Sequence, residues 1–442
     1  MRSNTPANVT INGRVAHPTT VTSGAKMSLE APAVATDGVA TFKAWAQGGD
    51  RTFTMTMPDR DTVLDVAYET PIDKRYDSDE AFRKLLGAPI GEELGADVRF
   101  REFQNGRAYW SKDAGVHSIG GAILQNYLDQ GGSPAFGPPV TDEMVAADGV
   151  GRYSTFGFES ASYWSPQTGA HVVHGQNFLK WQASGLEQGP LGYPTTDEGD
   201  TGRPGGRYND FQNGTVVWSP GTGSHLVTGE IYKKYAQYNW DWGVLGFPTT
   251  DEGDTGRPGG RYNNFQNGTV IWSPGTGAHL VTGAILAKYG AQGWDQGSLA
   301  FPTTDELDTG RPGGRFNNFQ GGTIIWSAQT GAQQVQGAIL QKYGEYGWDG
   351  GRLAFPTTSE VALRNGAYTH FQGGSVYWSA PTGAHALFGA IKDRWAARGW
   401  ENSYLGYPTS EEFAVPGGVR QNFQGGYVVW TASTGAVTDQ RY

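Results

Sequence analysis

Leu245-Gly246-Phe247-Pro248 is the stretch on which the reading of this chain turns, because it returns at nearly fixed intervals. Leu191-Gly192-Tyr193-Pro194 and Leu405-Gly406-Tyr407-Pro408 repeat it in full, while Leu299-Ala300-Phe301-Pro302 and Leu353-Ala354-Phe355-Pro356 carry Ala for Gly. Leu86-Gly87-Ala88-Pro89 loses the aromatic ring, and Phe136-Gly137-Pro138-Pro139 departs furthest. These seven anchors lie 50, 55, 54, 54, 54 and 52 residues apart, a period that marks a tandem array. The copies run over about 71–120, 121–174, 175–228, 229–282, 283–336, 337–388 and 389–442.

The copy beginning at Gly283 shows what one unit contains. Gly283-Ala284-Ile285-Leu286-Ala287-Lys288-Tyr289 sets Ile285 and Tyr289 on one face of a short helix, which Gly290 and Gly293 are expected to stop. After Trp294-Asp295 comes the anchor, in which Leu299 and Phe301 are expected to share one face of an extended segment. A loop from Asp308 to Gly314 leads to a hairpin, Arg315 to Gln320 and Thr323 to Ser327, around Gly321-Gly322. Asn-Gly or Gly-Gly at this position in six copies predicts a tight turn with both central residues at positive φ. The copy at 121–174 lacks the motif, carrying Phe156-Gly157-Phe158-Glu159, which predicts a bulged hairpin. A second turn, as in Ser273-Pro274-Gly275-Thr276-Gly277, leads to a last strand, Ala278 to Val281.

The expected fold is therefore mainly β, each copy a small antiparallel sheet with one short helix. A unit of this size has a marginal core, so neighbours are expected to stack and bury the remaining apolar faces. An elongated stalk is the preferred arrangement and a closed propeller-like ring the alternative. Residues 1–70 stand outside the period. Phe53, Met55 and Met57 alternate with Thr52, Thr54 and Thr56 and predict a small all-β, sandwich-like domain.

Composition agrees and narrows the partners. Gly and Pro make up a fifth of the 442 residues, yet 15 Trp, 21 Tyr and 20 Phe exceed what a solvated coil carries. A formal net charge of −10 argues against binding nucleic acid, which needs a basic surface. No apolar run reaches the length of a membrane span, so membrane insertion is not expected. With no cysteine, disulfides and thiolate metal sites are excluded. The opening Met1-Arg2-Ser3-Asn4-Thr5 has no apolar signal core, which fits an intracellular protein or the mature part of an exported one.

Chemistry-bearing motifs are scarce. Nucleophile elbows, zinc-protease helices, P-loops and dinucleotide fingerprints are all missing, so no catalytic residue, cofactor or metal site is assigned and enzyme activity is not expected. His117, His171, His225, His279 and His385 share one repeat position, which reads as a strand-end histidine bonded locally. The loops Asp197 to Asp200, Asp251 to Asp254 and Asp305 to Asp308 offer oxygens to Ca²⁺ but lack the spacing of a known calcium loop. Sugar binding asks for an aromatic platform beside a few fixed polar groups. Trp240, Trp294, Trp348 and Trp400 supply platforms. Arg207, Arg261 and Arg315 stand beside Tyr208, Tyr262 and Phe316, where guanidinium forks would hold carboxylates or vicinal hydroxyls. Gln212, Gln266 and Gln320 add amides, and His225 and His279 complete the candidate set.

The anchors, with Phe-Gln-x-Gly and then Trp-Ser-Pro-x-Thr-Gly-Ala-His behind them, resemble the LGFP-repeat family across about residues 71–442. That family is typical of actinobacterial envelope proteins, where the repeats accompany mycoloyltransferases and cell-wall hydrolases such as amidases. The resemblance implies a secreted or envelope location, units alternating in orientation along a stalk, and attachment to the peptidoglycan–arabinogalactan wall. The catalytic domains of the family have no counterpart here, so such a domain is expected only outside this chain. The first two copies depart most from the pattern, which suits a capping role. The expected function is a non-catalytic, wall-polysaccharide-binding repeat protein. A structural spacer presenting another domain is the alternative, and a cell-wall hydrolase a more distant one.

Overall fold

Aromatic side chains two apart on short β-prone runs need sheet partners close in sequence, and the structure supplies them within each copy. The computed structural model describes residues 1–442. It divides into two compact units, residues 1–199 with 209–212, and residues 200–208 with 213–442. The first unit opens with two sheets. One pairs Arg2–Ser3 with Asp65–Glu69 and Thr41–Trp45, and the other orders Arg14–Val15, Thr10–Ile11, Lys26–Glu30 and Thr52–Thr56. Leu29, Trp45, Val66 and Tyr68 are buried between them.

Every later copy contains one four-stranded antiparallel sheet whose strands follow chain order. In the copy ending at Thr282 the strands are Gly253–Asp254, Arg261–Phe265, Gly268–Ser273 and Gly277–Thr282. The helix Gly283–Ala291 follows, then one turn of 3-10 helix at Trp294–Gln296. The fold is mainly β, with the sheets remaining open and separate.

Packing joins consecutive copies. One core combines Ile271 and Val281 with Ile285, Tyr289, Leu299, Phe301, Phe319 and Ile324 of the next copy, so each helix is sandwiched between its own sheet and the preceding one. Ile325, Val335, Ile339, Tyr343, Leu353, Phe355 and Phe371 repeat that core one period on. The loop glycines make the joint possible. A methyl on Gly260 would lie 2.6 Å from the Phe301 ring and 2.1 Å from Thr255 Oγ1, and Gly314 stands in the same relation to Phe355.

The anchor owes its residue types to this packing. Leu245 and Leu299 are fully buried. The next residue is not extended, as expected from the two-residue spacing, but left-handed, with φ of 70° at Gly246, 56° at Ala300 and 60° at Ala354. This kink returns both flanking side chains to one core and exposes two backbone groups for capture. Tyr289 Oη donates to the Ala300 carbonyl at 2.9 Å, as Tyr235 does to Gly246 and Trp181 and Trp395 do to Gly192 and Gly406. From the hairpin, Gln266 Oε1 accepts from the Phe247 amide at 3.0 Å.

Three further expectations need correction. The hairpin glycines are not at positive φ. The pairing puts Phe265 opposite Gly268, so the loop residues are Gln266 and Asn267, whose amides donate to Phe247 and Leu245. Gly268 is needed for room, since a Cβ there would lie 2.8 Å from Thr282 Cγ2, and Gly322 would meet the Val335 carbonyl at the same distance. Gly290 does not stop the helix but lies within it, and Gly293, at φ 86°, ends it. In the copy at 121–174 the strands keep regular register, and the extra residue appears as a three-residue loop with Phe158 and Glu159 left-handed.

Candidate ligand-binding site

Gly290 prepares the most conspicuous site of the second unit. With no side chain there, the Trp294 indole lies against the helix, where a Cβ would come within 2.7 Å of Cζ2, and Gly344 seats Trp348 in the same way. The two residues are left-handed, at φ 54° and 57°, a strained backbone for a bulky side chain. Each indole stands edge-on to the helix tyrosine, Trp294 to Tyr289 and Trp348 to Tyr343, with centroids 5.5 Å apart. Both remain widely exposed, at 47% and 48%.

Beneath each exposed face lies a cavity, one of about 480 Å³ at Trp294 and one of about 420 Å³ at Trp348. The first has Tyr262, Ile271 and Tyr289 as apolar lining, with Asn264, Thr269 and Asp295 as polar groups. The second presents Phe316, Ile325 and Tyr343, with Asn318, Thr323 and Asp349. Sheet residues come from one copy and helix and indole from the next, so each cavity belongs to a junction. The Thr269 hydroxyl donates to Asn264 Oδ1 at 2.7 Å, which leaves the Asn264 amide hydrogens without a protein acceptor, and Thr323 holds Asn318 identically. Asp295 is buried and accepts from the Arg257 amide at 2.8 Å, as Asp349 does from Arg311 at 2.6 Å. Burial pushes the Tyr289 and Tyr343 phenols up, so both stay protonated and donate to the anchor carbonyls.

The residues singled out in the sequence thus fall into separate places. Tyr262 with Trp294, and Phe316 with Trp348, meet in the cavities. Tyr208 and Trp240 are the equivalent pair one copy earlier; there Trp240 is half-buried against Tyr232 and Tyr235, with centroids 5.1 and 5.4 Å away. Trp400 stacks on Tyr377 at 5.7 Å. The arginine forks are engaged by acidic neighbours. Arg261 pairs with Glu252 at 2.8 Å and Asp254 at 2.5 Å, Arg315 with Glu306 and Asp308, and Arg207 with Asp200. Gln212, Gln266 and Gln320 hold anchor amides.

His225 and His279 bond the carbonyls of Thr222 and Thr276 at 2.8 Å, while their other ring nitrogens face Asp251 and Asp305 of the following copy. Burial opposes the charge of Asp305, but His279, the Leu280 amide and Lys234 outweigh it and hold the carboxyl well below its usual range. The acidic loops bind arginine, lysine and histidine side chains, side-chain amides and hydroxyls, and backbone amides. No group of three or more His, Asp or Glu side chains converges as a metal site. Asn264, Thr269 and Asp295 were not singled out in the sequence, although their recurrence as Asn318, Thr323 and Asp349 was a readable signal.

Four-stranded sheets interlocked by single helices, with junction cavities under exposed indoles, define a tandem β-repeat protein. The chain belongs to the LGFP-repeat family, whose model matches residues 86–133, 136–189, 191–243, 245–297, 299–351, 353–403 and 405–438. Repeats of this family are typically found in cell-surface proteins. No curated protein matches the sequence. Among solved structures, the extracellular domain of a one-component system from B. thetaiotaomicron is 6% identical, with a TM-score of 0.13 over 94% of this chain and 52% of that one. The chain thus spans about half the length of that protein. A mutant TCP10 domain of CPAP from Danio rerio is 8% identical, with a TM-score of 0.15 over 80% of this chain and all of that one. Such scores are too low to indicate a shared fold. No helix is long and apolar enough to cross a membrane.

Proposed function

We propose that this chain is a non-catalytic, cell-surface repeat protein that binds cell-wall polysaccharide through its junction cavities. The observation that carries the reading is the recurrence, one period apart, of an exposed indole over a cavity lined by an amide, a hydroxyl and a carboxylate. A sugar ring presents C–H faces that an indole covers and hydroxyl edges that such polar groups satisfy. Two sites on one chain also suit a repetitive polymer, because the first contact raises the effective concentration of the second.

Co-sedimentation with insoluble actinobacterial wall material tests this reading. The intact chain is expected in the pellet, and the double variant Trp294→Ala, Trp348→Ala largely in the supernatant with an unchanged circular dichroism spectrum. An intact chain that stays in the supernatant would leave the spacer role as the better account.

A further inference from the structure

The junctions differ from one another in the residues that line the space beside the indole. The third-from-last residue of the central strand faces the space beneath the indole. At the two cavities it is Ile271 and Ile325 and at the Trp240 junction Val217; at other junctions it is Tyr109, Tyr163 and Tyr377. The Tyr377 ring stacks on Trp400, nearly parallel at 19°, and meets Trp395 edge-on at 4.6 Å, so it covers the indole face that Ile271 leaves open. Tyr163 and Tyr109 meet the helix aromatics Trp181 and Tyr127 edge-on, at junctions where Leu186 and Gly132 stand in place of the loop Trp. The same fold is thus built with the position aromatic or aliphatic.

The open cavities carry an asymmetric charge. Asp254 and Asp295 line the first and Asp349 the second, and no Lys, Arg or His lines either. Among nearby cations, Arg261 is paired with Glu252 and Asp254, and Arg257 reaches Asp295 through its backbone amide. An anionic ligand would meet the buried Asp295 or Asp349 carboxylate with no cationic side chain lining the cavity, in a chain of net charge −10. A cationic ligand would satisfy the carboxylate but leave the Asn264 and Asn318 amide hydrogens without an acceptor. Hydroxyl groups both donate and accept, and they match the full set.

Resting on the proposed glycan-binding role, we infer that the cavities at Trp294 and Trp348 are subsites for uncharged sugar residues, such as those of an arabinogalactan, and exclude carboxylated or phosphorylated ones. The experiment uses the full chain and the variant Ile271→Tyr, Ile325→Tyr, which installs side chains already present at other junctions. Calorimetric titration with a neutral arabinogalactan oligosaccharide is expected to show binding that the double variant weakens at least tenfold at unchanged melting temperature. Oligogalacturonate is expected to bind at least tenfold more weakly to the intact chain.

Equal affinity for the uronate, or displacement of the neutral sugar by millimolar tetramethylammonium, would overturn the charge selection. Wall binding that survives the double variant would overturn the assignment to these cavities while leaving the proposed function standing. Absence of wall binding by the intact chain would instead remove that function. Should the variant lose its fold, Asn264→Leu with Asn318→Leu gives the same readout without adding a ring.

Discussion

Two Ala residues isolate what the second anchor residue does. Where Gly occupies it, the glutamine oxygen lies 3.0 Å from the following amide, at Tyr193, Phe247 and Tyr407. Where Ala300 and Ala354 occupy it, the distance is 3.3 Å, because the methyl stands in the path of the glutamine side chain. Left-handed Ala is itself unfavourable by roughly 1–2 kcal/mol, partly offset by the greater freedom of Gly in the unfolded chain. Ala300→Gly and Ala354→Gly are each expected to raise stability by about 0.5–1 kcal/mol in urea titrations. At the same scale, acid should unfold the chain through its junction carboxylates. For Glu411, burial is outweighed by His385, Tyr346, Lys342 and the Ala386 amide, which bring its carboxyl down to about 2. Asp142 and Asp305 are likewise depressed. A depressed folded-state value stabilises fully above the unfolded value, near 4, and the contribution disappears as pH falls through the folded one. The urea midpoint is expected to drop steeply between about pH 4.5 and 2.5, and Asp305→Asn with Glu411→Gln to flatten that drop. A midpoint independent of pH over this range would contradict the assignment.

At the scale of elements, the loop glycines are contact surfaces rather than flexible joints. Gly260→Ala is expected to cost about 1–3 kcal/mol, since its methyl must displace the Phe301 ring or the Thr255 hydroxyl. Chemical denaturation checks this, and the exposed Gly275→Ala, whose methyl meets nothing, serves as control. Much at this scale was legible beforehand. The strand–turn–strand order and the helix face of Ile285 and Tyr289 follow from local alternation and spacing. The conformations of the glycines were not legible, because sequence does not separate a glycine chosen for positive φ, such as Gly246, from one chosen for room, such as Gly268. Gly290 misled for the same reason: a helix breaker by propensity, it serves as the seat of Trp294.

For the whole molecule, the period predicted shared cores, and Ile271 packing with Leu299 of the following copy shows them. The candidate site was half legible. Tyr262, Trp294 and Trp348 were readable as aromatic platforms, but residue types alone gave no sign that Arg261 would be claimed by Glu252 and Asp254, or Gln266 by the Phe247 amide. Those pairings form within one copy, where the loop and hairpin fold back on the anchor, and spacing alone does not show which side chains that closure brings together. The cavities, by contrast, arise at the repeat junctions, which a local reading of one copy does not see, and the central claim is that they hold glycan. Nuclear magnetic resonance of the indole N–H groups, recorded while a neutral arabinogalactan oligosaccharide is titrated in, tests it most directly. Saturable shifts at Trp294 and Trp348, with the fully buried Trp181 and Trp395 unmoved, are predicted. Indole signals of Trp294 and Trp348 that stay in place while the sugar demonstrably binds elsewhere would contradict the account.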